Sequence, residues 1–297
     1  MNPAGQISRC FRCPAAFKAV AFLSAAVFIS VARPNEPGES KREFENALGM
    51  KFVPVSGTKV WFSIWPTRVK DFAAFVHDSG YDATKGVYSL AGKGWVQAGD
   101  SWKNPGFRQG DTHPVCAVSW TDACAFCAWL TQKERGSGGI NPRQAYRLPT
   151  DNEWMVAVGL LKDATGVPNA TADIFPWGNS WPPPAGAGNY AGEEAKDELW
   201  PVEWQPIKGY NDGYPRTSPV GTFHPNRFGL YDTSGNVWEW CEDLYDPKGT
   251  TRVVRGAAYR VYLPDLIKLN RRGDGQPDSR YVHRGFRCVL TESATRS

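Results

Sequence analysis

Residues 229–240 read GLYDTSGNVWEW. Two carboxylates, Asp232 and Glu239, flank a turn around Gly235 and Asn236, and the alternation that follows predicts a strand over GNVWEW. Such a turn is able to wrap a hard cation with side-chain and carbonyl oxygens. The alternative is a polar turn in which Asp232 and Asn236 bond nearby backbone groups.

A chain of 297 residues with 41% hydrophobic and 22% charged composition carries enough apolar content for a sizeable core, which excludes a disordered chain. It holds 13 Trp, 11 Tyr and 15 Phe beside 30 Gly and 23 Pro, so many aromatic anchors are joined by many turns. The expectation is a loop-rich α+β domain with few helices and short antiparallel strands.

Residues 1–32 read as a secretory signal: Arg9, Arg12 and Lys18 precede the apolar run AVAFLSAAVFISVA, which ends in small residues. As a helix that run is about 20 Å long, short of the roughly 30 Å hydrocarbon core. The expectation is export to the periplasm or the extracellular space, with no stable membrane span after cleavage. Residues 33–45 read as a polar tether, 46–292 as one domain and 293–297 as a tail. The full chain has 34 basic and 30 acidic residues, a charge of +4, and loss of three basic residues with the signal leaves +1. Nothing in that balance steers the protein toward nucleic acid.

Of 7 cysteines, Cys10 and Cys13 lie in the signal, leaving Cys116, Cys124, Cys127, Cys241 and Cys288. In an exported chain disulfides are the default use, and an odd count leaves a free thiol. Cys124 and Cys127 have no matching second pair for zinc, and neighbours on one helix turn rarely form a disulfide. Cys241 has Cys116 and Cys124 as possible partners.

Three helices are legible. Thr67 is placed to cap VKDFAAFVHD, whose Val69, Phe72, Phe75 and Val76 share a face. A second begins near Thr121 and runs through DACAFCAWLTQKER, with Ala123, Phe126, Cys127 and Leu130 at core spacing. A third follows Thr150, whose spacing to Glu153 is that of a capping box. MKFVPV, HPVCAVSW, GNVWEW, TRVVRGAAY and GFRCVL are the predicted strands.

Seven blocks in order carry a resemblance: ALGMKFVPV at 47–55, HPVCAVSWTDACAFCAWL at 113–130, YRLPTDNEW at 146–154, FPWGNSW at 175–181, SPVGTFHPNRFGLYDTSGNVWEWCED at 218–243, RVVRG at 252–256 and RGFRC at 284–288. Together they resemble the formylglycine-generating enzyme family, also called sulfatase-modifying factors. The resemblance implies a C-type-lectin-like fold and two structural calcium sites. Matched by motif, the first would use the side chains of Asn189 and Asp212 with the carbonyls of Tyr190 and Tyr214. The second would use the side chains of Asp232 and Glu239 with the carbonyls of Gly235 and Val237. It also implies a disulfide between Cys127 and Cys288.

Members of that family with oxidase activity hold copper between two cysteine thiolates, soft ligands that favour Cu(I). Those cysteines follow a GGSY-like segment, here GAAY at 256–259, and the matching positions are Val261 and Leu266. No cysteine stands between Cys241 and Cys288, so no shift of alignment restores the pair. Copper is therefore not expected, nor is formylglycine generation. His77, His113, His224 and His283 are scattered, and a site built from His224, His283 and an Asp is the remaining route to a metal-dependent oxidoreductase of this family using another metal or substrate. No GxSxG elbow or phosphate loop is present. The other reading is a non-catalytic module that binds a protein or glycan. Its candidate surface is Tyr259, Arg260, Tyr262, Arg271, Arg272, Arg280, Tyr281 and His283, an aromatic and guanidinium mixture common in recognition. The alternative role of these arginines is to brace loops, with Arg271, Arg272 and Arg287 paired to Asp274, Asp278 or Glu239.

Overall fold

The computed structural model describes residues 43–84, 86–91, 94–98, 101–168, 173–196 and 205–291. The predicted signal over 1–32, most of the tether and the tail at 293–297 lie outside the described residues. The elements run in the order β1 (Phe44–Glu45), β2 (Lys51–Pro54), β3 (Val60–Ser63), α1 (Val69–Ser79), β4 (Val87–Ala91), β5 (Gly94–Ala98), α2 (Trp120–Ser137), β6 (Tyr146–Arg147) and α3 (Asp151–Ala157). After a short 3-10 turn come β7 (Trp238–Leu244), β8 (Arg252–Arg255), α4 (Pro264–Ile267), β9 (Arg272–Gly275), β10 (Arg280–Tyr281), β11 (Arg284–Gly285) and β12 (Val289–Thr291). This is the loop-rich α+β architecture the composition predicts. Two residues assigned to the tether, Phe44 and Glu45, already pair with Phe52 and Lys51.

The strands form three sheets. In the five-stranded sheet β1-β2-β3-β12-β6, the last strand lies between β3 and β6, with Val289 opposite both Phe62 and Arg147. Chain closure therefore happens at the middle of a sheet, where β12 has no free edge. The second sheet, β11-β7-β8-β9, is built on the WEW strand and carries the long loops; the third is β10-β4-β5. The main core lies between α1, α2 and the strand β12 segment, where Phe72, Phe75, Phe126 and Phe286 are at most 2% exposed. Phe126 meets Phe286 edge-on at 5.4 Å and Phe75 edge-on at 5.8 Å, a geometry that aromatic quadrupoles favour.

Helix starts differ from the expectations in two places. The cap of α1 is Arg68, not Thr67: Asp71 accepts from the Arg68 backbone N–H at 3.0 Å and from its guanidinium at 2.8 and 2.9 Å. Thr67 is instead buried under the end of the chain, its N–H donating to the Phe286 carbonyl at 2.8 Å. The cap of α2 is Ser119, not Thr121, with reciprocal bonds to Asp122 at 3.1 and 2.8 Å. At α3 the Thr150–Glu153 box forms as read. HPVCAVSW is not a strand, because Ala117 takes a positive φ of 57° that breaks an extended run; only Pro114 makes a lone bridge, to Arg68.

Candidate functional site

The turn at 232–236 is a junction of three chain segments. Asp232, Gly235 and Asn236 take φ values of 52°, 83° and 60°, conformations that Gly, Asn and Asp tolerate best. The turn then bonds in two directions: Gly235 N donates to the Gly256 carbonyl at 2.6 Å and Asn236 N to the Asn189 carbonyl at 2.9 Å. A Cβ on Gly235 would come within 2.5 Å of that Asn189 carbonyl oxygen. The Tyr259 N–H donates to Asn236 O at 3.0 Å, and Ala191 N to Val261 O at 3.1 Å. Segments 189–191, 232–236 and 256–261 are thus sewn together by backbone bonds, which needs a glycine at their crossing.

Asn189 and Asp212 of the first expected calcium set lie at one rim of this junction, where the Tyr190 carbonyl accepts from Gly192 N at 2.8 Å. Asn189 is fully buried, and its Nδ2 donates to the Arg216 carbonyl at 2.7 Å. Its Oδ1 is buried with no hydrogen-bond donor, an uncommon state that costs free energy unless something positive faces it. Asp212 accepts from Tyr190 N at 2.8 Å and from Tyr214 N at 2.9 Å. Burial pushes the Asp212 carboxyl up to about 7, with the Glu194 charge adding to the shift. Glu194, a residue the motif match did not include, accepts from Gly192 N at 2.9 Å and Asp212 N at 3.3 Å. Two carboxylates beside an orphaned amide oxygen suit a hard cation. The acidic run EEAKDE was the only signal in the sequence for Glu194.

In the second expected set, Asp232 and Glu239 lie close enough for their charges to interact, and each carboxylate also has protein partners. Both oxygens of Glu239 are taken by Arg287, at 2.6 and 2.7 Å, with both side chains at most 1% exposed. Arg287 also donates to the Tyr231 carbonyl at 2.8 Å. Asp232 accepts from Gly221 N at 2.8 Å and Asn236 Nδ2 at 3.4 Å, and burial raises its carboxyl to about 6. The Arg287 guanidinium thus braces Glu239 from one side, while Asp232 and the Gly235 and Val237 carbonyls belong to the turn itself.

The positions matched to the copper cysteines are apolar and packed. Val261 is 6% exposed and Ala258 fully buried in the main core, with Leu266 packed on its edge. Of the thiols, Cys127 and Cys288 face each other with sulfurs 3.5 Å apart. Cys241 sits in a separate cluster with Trp154 and Val253, and Cys116 donates to Gln109 Oε1 at 3.4 Å. Burial pushes all of Cys116, Cys127 and Cys241 well up and Cys124 up to about 12, the environment of unreactive thiols. Among the described residues no three His, Cys, Asp or Glu side chains come together as a metal-binding group.

Three of the eight residues of the expected ligand surface are buried, four are half-buried and one is exposed. Tyr259, Arg260 and His283 are at most 8% exposed. Burial lowers Arg260 to about 10 and holds His283 well below its ordinary value, with Arg260 and Arg284 adding to the latter. Arg272 donates to Asp151 at 2.8 Å beside Arg255 at 2.6 Å. Arg280 clamps Asp122 at 2.6 and 2.7 Å, where Tyr81 also donates at 3.0 Å. Tyr281 stacks on Tyr88 at 5.3 Å, Tyr262 is half-buried against the main core, and of the eight only Arg271 is exposed. Arg272 and Arg280 brace loops through Asp151 and Asp122, and the Arg287–Glu239 pair forms as the alternative reading has it.

Comparison with known proteins agrees with this arrangement. The profile of the FGE-sulfatase family, the sulfatase-modifying factor enzyme 1-like domain, matches residues 40–292. The formylglycine-generating enzyme of Thermomonospora curvata is 30% identical over 267 residues, covering 74% of this chain and 78% of that protein. The mouse protein called inactive C-alpha-formylglycine-generating enzyme 2 is 30% identical over 260 residues, covering 76% and 73%. Among solved structures, PvdO from Pseudomonas aeruginosa shares the fold with a TM-score of 0.55 at 22% identity, over 82% of each chain. The chain belongs to the sulfatase-modifying factor family of the formylglycine-generating enzymes.

Proposed function

We propose that this protein is an exported, calcium-stabilised, non-catalytic member of the family that binds a protein or glycan partner and does not make formylglycine. The observation that carries this reading is the pair of apolar side chains, Val261 and Leu266, built into the hydrophobic core where thiolates would be needed for copper. Hydrocarbon cannot ligate Cu(I), and the thiols elsewhere are buried with raised pKa values. That a relative of comparable similarity bears the name inactive supports the same reading. Calcium is assigned to Asn189, Asp212 and the Tyr190 and Tyr214 carbonyls, with Glu194 adding charge close by. Its role there is structural: bound, it supplies the positive charge that the buried Asn189 oxygen and Asp212 carboxylate lack.

The test is incubation of the purified chain with copper, oxygen and a cysteine-containing sulfatase peptide, with aldehyde read by mass spectrometry. No turnover above a protein-free control is expected, and formylglycine in the peptide would sink the reading. Metal analysis of the same preparation should find calcium near one ion per chain and neither copper nor iron in stoichiometric amount.

A further inference from the structure

We infer that a cleft beside the 232–236 turn, walled by Trp177, His224, Asp232 and Thr233, binds one neutral pyranose ring of a glycan. This rests on the binding reading above and moves the contact away from the 259–283 stretch, where Tyr259, Arg260 and His283 are buried. The cleft has a volume of about 180 Å³. That is far more than the ~10–15 Å³ one water needs and below the ~300–1,000 Å³ typical of drug-sized ligands, so a single small ring is the scale that fits.

The lining is chemically two-sided, as a sugar ring is. Trp177 is held flat by Phe175, whose ring lies parallel at 5.1 Å and 5°, and by Nε1 donating to Ser180 O at 2.9 Å. Tyr190 also meets the indole at 5.6 Å and 67°, and the part of the fixed ring that lines the cleft offers aromatic surface for the C–H face of a pyranose. The hydroxyls of the ring need donors and acceptors, which the imidazole of His224, the hydroxyl of Thr233 and the carboxylate of Asp232 supply. Asp232 has two acceptor oxygens and accepts from Gly221 N and Asn236 Nδ2, so lone pairs remain for hydroxyl donors. The imidazole can lie there because residue 186 is glycine: a Cβ at that position would come within 2.8 Å of His224 Nε2.

Two further observations narrow the occupant. A buried carboxylate in the wall disfavours sulfated or acidic sugars by like-charge repulsion. Outside the cleft, Trp181 is 40% exposed and lies 5.4 Å from Phe175, an aromatic shelf for an adjoining sugar. A proline-rich peptide also docks on aromatic walls, but it has no set of hydroxyls for Asp232, His224 and Thr233.

The experiment titrates the full chain with methyl pyranosides and short neutral oligosaccharides, read by saturation-transfer NMR and tryptophan fluorescence. Sulfated sugars and a proline-rich peptide serve as comparators. Binding of a neutral pyranoside is expected, weakened about tenfold, or about 1.4 kcal/mol, in Trp177→Ala. Thr233→Val should weaken it about threefold while the circular dichroism spectrum is unchanged. Trp181→Ala should weaken an oligosaccharide and leave a monosaccharide alone. Should Trp177→Ala fail to fold, Thr233→Val decides. The inference is overturned by no pyranoside binding to the unaltered chain, by unchanged affinity in Thr233→Val, or by tighter binding of the sulfated sugars or the peptide. Any of those results with no aldehyde in the copper assay leaves the non-catalytic reading standing.

Discussion

At the scale of single residues, the polar interior depends on a few buried ion pairs. Arg287 and Glu239 are bonded at 2.6 and 2.7 Å with almost no exposure. Removing one partner leaves a desolvated charge, so Arg287→Met should cost about 3–5 kcal/mol in urea unfolding; a loss under about 1 kcal/mol would show the pair to be solvated. His283 sets a different limit. Burial, with Arg260 and Arg284, holds its pKa well below 6.5, so below pH 6.5 the unfolded chain takes up a proton that the folded chain refuses. The histidine's contribution to stability is thus full above about pH 6.5 and is lost as pH falls from there toward the folded pKa, by up to about 1.4 kcal/mol per pH unit. His283→Asn should flatten that part of the stability profile; a profile with the same slope would assign the acid sensitivity to other groups.

At the scale of elements, caps and the 232–236 turn decide where segments start and cross. The Ser119 cap of α2 was within reach of a sequence reading, since SWTD repeats the spacing seen in TDNE, but Thr121 masked it. Ser119→Ala should lower stability by about 0.5–2 kcal/mol without altering the core. Gly235→Ala should be far more damaging, because φ is +83° and the added carbon would sit 2.5 Å from the Asn189 carbonyl oxygen. We expect it to disturb both the turn and the proposed calcium rim, read as lost calcium-dependent stabilisation in a variant that still melts cooperatively. HPVCAVSW shows the reverse failure of a pattern reading: its alternation looks like a strand, yet the segment turns at Ala117 to deliver Ser119 to the helix start.

At the scale of the whole molecule, two long-range ties close the fold. The strand β12 enters the middle of the five-stranded sheet, and beside it Cys288 meets Cys127 of α2 with sulfurs 3.5 Å apart. An oxidised Cys127–Cys288 bond is proposed for the chain in an oxidising compartment, and its reduction should cost about 2–5 kcal/mol. A thermal melt unchanged by dithiothreitol, with mass spectrometry finding both thiols free beforehand, would exclude the bond. The proposed calcium, at 100 times its Kd, should add about 2.7 kcal/mol, worth roughly 2–4 °C in Tm per kcal/mol for a domain of this size. Asp212→Asn and Asn189→Ala should abolish that increment, while a chelator with no effect on the unaltered chain would remove calcium from the account.

The sequence alone determined the family blocks, the faces of the helices, the Thr150–Glu153 cap and the absence of thiols between Cys241 and Cys288, because each is set by local spacing or by composition. What only the tertiary structure decided was the fate of the charged and aromatic groups. Glu239, Asp151 and Asp122 find Arg287, Arg272 and Arg280 at separations of 48, 121 and 158 residues, and no periodicity carries information over such distances. Burial is likewise a collective property: Tyr259, Arg260 and His283 read as a surface in one dimension and lie inside in three. The same holds for the Trp177 cleft, whose wall joins 177, 224 and 232–233 only because the chain returns past one fixed corner, the GLYDTSGNVWEW turn.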